Sequence, residues 1–242
     1  MPILAFDTST PCARVAVLSD TGEILSATEK TASRHSSFLL SLCDHVLGAA
    51  ALKVSQLRAV ACGAGPGSFT GLRVGLAVAK GLALVDGVSL LLVPSLDALA
   101  FDLARAKSSD FVLPCIDAGK GQVYGRLYRT TQDLPVVVDE EDILLSPVQL
   151  CSLAKEQTAG AALLAGGNGV DRYAEIFDGE LRGQIVHRAP GPSAISIGHL
   201  ALRRLARHER DDLATSVPRY GRPPDITRPR LKHTTTCSTP NP

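Results

Sequence analysis

Residues 59–84, AVACGAGPGSFTGLRVGLAVAKGLAL, constrain the fold of this chain more than any other stretch. Ala59 to Cys62 is a short apolar run and reads as a buried strand. Gly63, Gly65, Pro66 and Gly67 then force a turn, since glycine accepts positive φ and proline fixes its own. Ser68 and Thr70 are good N-caps for a helix that follows. Along that helix, over 71–84, Gly71, Gly75, Ala79 and Ala83 recur at every fourth position and share one face. Arg73 and Lys80 interrupt the segment, so it does not read as a membrane span.

Three readings of this stretch compete. A helix N-terminus behind a glycine loop suits a phosphate, because its free N–H groups and dipole favour anions. The strict templates fail: no Gly-Lys-Ser/Thr ends the loop, and Thr70 stands where a dinucleotide fingerprint needs its third glycine. A stripe of small residues also suits helix pairing. The third reading is a tight turn followed by close packing of the helix on its own sheet.

The flanking sequence places this unit in a repeated α/β pattern. Ile3 to Phe6, Arg14 to Leu18 and Glu23 to Thr28 read as a three-stranded antiparallel meander, with turn chemistry at Asp7-Thr8-Ser9-Thr10-Pro11 and Asp20-Thr21-Gly22. Residues 36–50 read as a helix whose apolar arc, including Phe38, Leu39, Leu42 and Val46, is too broad for one sheet to cover. Ser89 to Val93 is a strand, and Ser95 starts a helix to about Arg105. The order then restarts. Phe111 to Asp117 mirrors the first strand and Val123 to Tyr128 the second, and a third falls within Val136 to Leu145. Helix 147–156, strand 161–165, a helix near 170–177, a short strand 185–187 and a last helix 193–208 complete it. Strand-strand-strand-helix-strand-helix, used twice, predicts a duplicated α/β fold with lobes 1–107 and 108–217. Residues 218–242, rich in proline, arginine and threonine, read as a flexible basic tail.

Bulk properties narrow the classes. The net charge of +1 advertises no polyanion-binding field. The 6 cysteines lie irregularly within apolar runs, which fits reduced thiols and a cytoplasmic protein. The absence of tryptophan weakens base stacking as a theme.

Four ordered stretches, ILAFDTST, RHSSFLLSLCDHVL, GPGSFTGLRVGLAVAKGLAL and CIDAGKGQVYGRLY, resemble the TsaB (YeaZ) family of tRNA threonylcarbamoyladenosine biosynthesis, a paralogue of TsaD. The resemblance implies two lobes of the actin–Hsp70–sugar-kinase (ASKHA, ribonuclease H-like) type. It implies a non-catalytic subunit that supports TsaD in forming N6-threonylcarbamoyladenosine at position 37 of tRNAs reading codons that begin with adenine. ATP, threonylcarbamoyl-adenylate and metal are then expected on partner subunits, with no cofactor and no metal on this one. The implied partners are a TsaD-like subunit, a TsaE-like ATPase, tRNA through the complex, and a second copy of the chain when TsaD is absent; no membrane is implied. The implied contact surface comprises Arg34, His35, Phe38, Leu39, Leu42, Gly71, Leu72, Gly75, Leu76 and Ala79. The end of the chain reads Pro218-Arg219-Tyr220-Gly221-Arg222 where relatives carry Pro-x-Tyr-Leu-Arg, and the glycine is expected to loosen the tail.

The chemical candidates divide the same way. Asp7 with Thr8, and Asp117, close strands before a turn. Each aspartate faces a metal-bound phosphate or ties down its own turn by a side-chain hydrogen bond. Gly166 and Gly167, in Gly166-Gly167-Asn168-Gly169, admit a base or simply turn the chain. The 6 histidines form neither H-x-x-x-H nor H-E-x-x-H, which argues against a metallopeptidase. Ser68 does not sit in G-x-S-x-G, since Thr70 replaces the second glycine. The alternative to a supporting subunit is a stand-alone transferase of the same fold using ATP or a carbamoyl-adenylate in the cleft between lobes.

Overall fold

The structure, a computed structural model, describes residues 1–31, 38–138, 143–182, 185–186 and 190–222. Arg34 and His35 lie outside the described residues. The meander forms as expected: β1 (Ile3–Asp7), β2 (Cys12–Leu18) and β3 (Ile24–Thr31) pair antiparallel in sequence. β4 (Ala59–Gly63) and β5 (Ser89–Val93) add in parallel on the far side of β1, giving the order β3-β2-β1-β4-β5. β1, β2 and β4 are buried along their whole length. Continuous burial of this kind requires helices on both faces of the sheet. Helices α1 (Leu39–Ala49) and α2 (Phe69–Leu82) cover one face.

The second lobe repeats the plan. β6 (Phe111–Gly119), β7 (Gln122–Gly125), β10 (Ile143–Leu145), β11 (Leu163–Gly166) and β12 (Ile185–Val186) run in the order β10-β7-β6-β11-β12. The first two joins are antiparallel and the last two parallel, as in the first lobe. Helix α4 (Pro147–Thr158) holds the place of α1, and α5 (Asn168–Arg172) with α6 (Ala174–Glu180) that of α2. The strand expected over Val123 to Tyr128 breaks into β7 and β8 (Tyr128–Arg129), although both pair with β6 on one alignment, Cys115 facing Gly125 and Val112 facing Tyr128. That alignment sets Pro114 opposite Arg126, and proline has no N–H to give to the ladder. β9 (Val136–Val137) pairs with β8 as a short ribbon.

The lobes exchange their third helices. α3 (Ser95–Ala106) follows β5 in sequence, yet its Leu96, Leu99, Ala100 and Leu103 pack with Val112, Ile116, Tyr128 and Leu164 of the second sheet. α7 (Ala194–Ala206) follows β12, yet Ile197, Ala201 and Leu205 pack on Ile3, Ala5, Ala16 and Leu91 of the first. The expected boundaries 1–107 and 108–217 therefore divide the sequence but not the cores. Both helices lie between the sheets and are bonded across: the Tyr128 hydroxyl donates to Asp97 at 2.6 Å, and the Ser193 and Ser196 hydroxyls donate to the largely buried Asp102 at 2.7 and 2.5 Å. Part of the expected free tail is also placed, since the Arg219 N–H donates to the Ala64 carbonyl at 2.8 Å. Residues 223–242 lie outside the described residues.

Candidate functional site

Asp7 ends β1 and points inward. One carboxylate oxygen accepts from the Ser9 N–H at 2.8 Å and the Ser9 hydroxyl at 2.6 Å, and the other accepts from the Ser95 hydroxyl at 2.8 Å. The residue is fully buried, and burial pushes its carboxyl above the usual carboxylate range despite these donors and nearby Arg14. A Cβ on Gly63 would sit 1.9 Å from the Asp7 carboxylate, so that side is walled off as well. Of the two readings of Asp7, the turn-holding one is what the geometry contains.

The glycine loop closes on the same turn. The Ser68 N–H donates to the Ser9 carbonyl at 2.7 Å, and a Cβ on Gly67 would lie 2.3 Å from that oxygen. Ser68 caps α2 by accepting from the Gly71 N–H at 3.2 Å. The Thr8 hydroxyl donates to the Gly71 carbonyl at 2.9 Å. A Cβ on Gly71 would meet the Thr8 carbonyl at 2.1 Å, and one on Gly75 the Thr8 hydroxyl at 2.3 Å. The small-residue face of α2 is thus a seat for the chain's own first turn.

This corrects where the expected contact residues point. Phe38, Leu39, Leu72, Leu76 and Ala79 are buried in the chain's own core, as are Gly71 and Gly75; Leu42 is half-buried. The broad arc of α1 is covered from two sides, by β2 and β3 beneath and α2 beside it. What these helices present outward is a different set: Leu40 at 53% exposure, Phe69 at 46%, Leu84 at 77% just past α2, and Ala77 and Gly81 one turn apart. A Cβ on Gly48 or Gly81 would meet nothing within 4 Å.

Between the lobes lies a cavity of about 570 Å³, lined by Ser9, Ser68 and Phe69 from the first lobe and Asp117, Tyr124 and Asn168 from the second. Asp117 accepts from the Gly119 N–H at 3.0 Å and faces the Arg172 guanidinium at 3.4 Å. The Asn168 side chain accepts from the Asp117 N–H at 3.2 Å. Of Asp7, Thr8, Asp117, Gly166 and Gly167, only Asp117 lines the cavity. Gly167, at φ +117°, is pressed on β6, where a Cβ would lie 2.1 Å from the Cys115 carbonyl. Tyr220, Gly221 and Arg222 complete the lining. The proline-flanked PRYGR run was the available signal for them. Among the described residues, no three His, Cys, Asp or Glu side chains converge to hold a metal ion. Among them, too, no helix is long and apolar enough to cross a membrane.

Comparison with known proteins gives a consistent picture. The family model described as TsaD, tRNA N6-adenosine threonylcarbamoyltransferase, matches residues 25–176. The tRNA threonylcarbamoyladenosine biosynthesis protein TsaB of Escherichia coli (strain K12) is 33% identical over 147 residues, 61% of this chain and 63% of that protein. The chain spans 52% to 63% of the length of the curated relatives it first matches. The structure of YeaZ from Pseudomonas aeruginosa superposes with TM-score 0.77 at 29% identity, covering 90% of this chain and 99% of that one. The activator of 2-hydroxyisocaproyl-CoA dehydratase from Clostridium difficile, solved with bound ADPNP, shares the fold at TM-score 0.53 and 8% identity. The duplicated lobes are those of the actin–Hsp70–sugar-kinase type, as expected. A family model over residues 25–176 and a near full-length structural match place this chain in the TsaD-type tRNA N6-adenosine threonylcarbamoyltransferase family, on its TsaB (YeaZ) branch.

Proposed function

We propose that the chain is a non-catalytic subunit of tRNA threonylcarbamoyladenosine formation at position 37, working with a TsaD-type catalytic partner. The observation that carries this reading is Asp7. The carboxylate that ends the first strand is fully buried, held by Ser9 and Ser95, and screened from the cleft by its own turn and the glycine loop. A nucleotide-using site needs that edge of the cleft for metal and phosphate, and here it is filled with protein. ATP, threonylcarbamoyl-adenylate and metal then belong to the partner subunits, with a TsaE-type ATPase joining the assembly.

The partner surface in this reading is the outward side of α1 and α2. Leu40, Phe69 and Leu84 are exposed apolar side chains there, and Ala77, Gly48 and Gly81 leave room for a close backbone. The same surface pairs with a second copy of the chain when the catalytic subunit is absent. Gly75→Arg would not test this, because Gly75 faces Thr8 inside the chain. Gly81→Arg does, since its side chain projects into open space. The expected result is loss of co-purification with a TsaD-type subunit while the thermal unfolding midpoint of the lone chain does not fall. Retained co-purification would refute the surface. Modification of tRNA by the purified chain alone would refute the non-catalytic role and favour the stand-alone transferase.

A further inference from the structure

We infer that the C-terminal segment is a strap that bridges the interlobe cleft and holds it closed. Residues 211–222 start on the first lobe. Asp211 donates its N–H to the Leu90 carbonyl at 2.9 Å, and its carboxylate accepts from the Leu92 N–H at 2.7 Å and from Arg204 at 2.9 Å. These bonds occupy the free edge of β5, which would otherwise stand unpaired. The Arg219 N–H then donates to the Ala64 carbonyl in the glycine loop, and Tyr220 rests on the Phe69 ring at 4.9 Å between centroids. At Gly221 the segment crosses to the second lobe. A Cβ there would lie 2.4 Å from the Tyr124 ring, so the glycine permits the close approach instead of loosening the tail. The Arg222 guanidinium donates to the Gln122 side chain on β7.

Two features make this a latch and not simply a packed terminus. First, the strap residues Tyr220, Gly221 and Arg222 form part of the wall of the cavity itself, so the cavity opens on that side only when they leave. Second, the clips are thin. Tyr220 is 45% exposed on a half-exposed Phe69, and among the described residues the clip on the second lobe consists of one side-chain hydrogen bond and one glycine contact. Segments with few buried apolar contacts open at low free energy while the sheets stay folded. Arg219 and Arg222 are only three residue steps apart, a reach of at most about 10 Å, so a cleft that widens must release the second-lobe clip.

Hydrogen exchange read by mass spectrometry on the full chain tests this, comparing the parent with Gly221→Val and Arg222→Ala. The expected result is that exchange at the Arg219 amide and in the β7 hairpin rises together, by about ten-fold in Gly221→Val and less in Arg222→Ala, with β1, β4 and β6 unchanged. Spin labels on cysteines placed at Leu25 and Val148, exposed positions on opposite lobes and away from the α1–α2 surface, should report longer distances in both variants. Arg222→Ala removes a single side-chain bond, so it carries the test if Gly221→Val does not fold. If Arg219 keeps its protection in Arg222→Ala while the β7 hairpin loses it, the clips are independent and the strap is refuted. If Arg219 is released and the label distances do not change, the segment does not hold the cleft and the inference falls equally.

Discussion

The same substitution at two glycines of α2 should have opposite signs. Gly75→Ala places a methyl 2.3 Å from the Thr8 hydroxyl and 3.3 Å from the Cys62 sulfur. Thr8 is fully buried, and its hydroxyl is already committed to the Gly71 carbonyl. It cannot swing aside without losing that bond. Overpacking of this kind costs about 1–3 kcal/mol. Replacing glycine in a helix returns roughly 0.5–1 kcal/mol in backbone entropy. The net for Gly75→Ala is destabilisation, by up to about 2.5 kcal/mol. Gly81→Ala meets nothing within 4 Å, so it keeps the helix gain alone. Because both share the helix gain, the two variants should differ by the overpacking cost alone, roughly 1–3 kcal/mol, or about 2–12 °C in melting midpoint for a chain of this size. Urea titration followed by circular dichroism measures this directly. Adding Thr8→Ala to Gly75→Ala should recover part of the loss as a coupling energy, which neither single change predicts. Equal midpoints for Gly75→Ala and Gly81→Ala would show that the stripe does not seat the first turn, and would restore it to the outer surface.

Two further outcomes follow from the buried polar and glycine positions. Asp7 ionises near 3.9 in the unfolded chain and at a higher pH when folded. Across that window the folded state holds more protons than the unfolded one, so Asp7 lowers stability as pH rises through it. Asp7→Asn should therefore gain stability relative to the parent as pH increases from about 4, levelling off above the folded value; a difference in urea midpoints that is flat with pH would refute the buried-acid assignment. Gly167→Ala should lose about 3 kcal/mol, because a positive φ and a backbone clash coincide. Its Cβ would lie 2.1 Å from the Cys115 carbonyl and 2.7 Å from Leu99 of α3, and an unchanged unfolding midpoint would contradict that packing.

The periodic elements were legible because their signals are local. Ser89–Val93 was bounded correctly by its apolar run and Pro94, and the antiparallel meander by its turn residues. The duplication was legible as an order of elements. The exchange of α3 and α7 was not, because their apolar faces fit either sheet and only the crossing of the chain decides which they meet. The direction of the α2 stripe was ambiguous for a related reason. Spacing says that Gly71, Gly75 and Ala79 share a face, while the residue that fills their groove, Thr8, stands more than sixty positions away in the chain. For the cleft, Asp117 stood out in the sequence as an aspartate beside a turn, and it lines the cavity from the last turn-side residues of β6. Tyr124, Asn168 and the PRYGR segment were missed as lining residues because they meet only in three dimensions.

Phe69 links the two surfaces to which this structure gives weight. It is the first residue of α2, it lines the cavity, and it carries Tyr220 of the strap on its ring. Arg73 stacks on it at 5.1 Å, one turn along the outward side of the helix. A partner that covers the N-terminal end of that side must bury Phe69 and Arg73, and burying them fixes the platform on which Tyr220 sits. A partner confined to Ala77, Gly81 and Leu84 leaves the platform free. Docking and cleft closure are therefore coupled only if the interface extends to the start of α2. A strap that moves opens or closes the gap between Phe69 and Tyr124, across which the cavity lies.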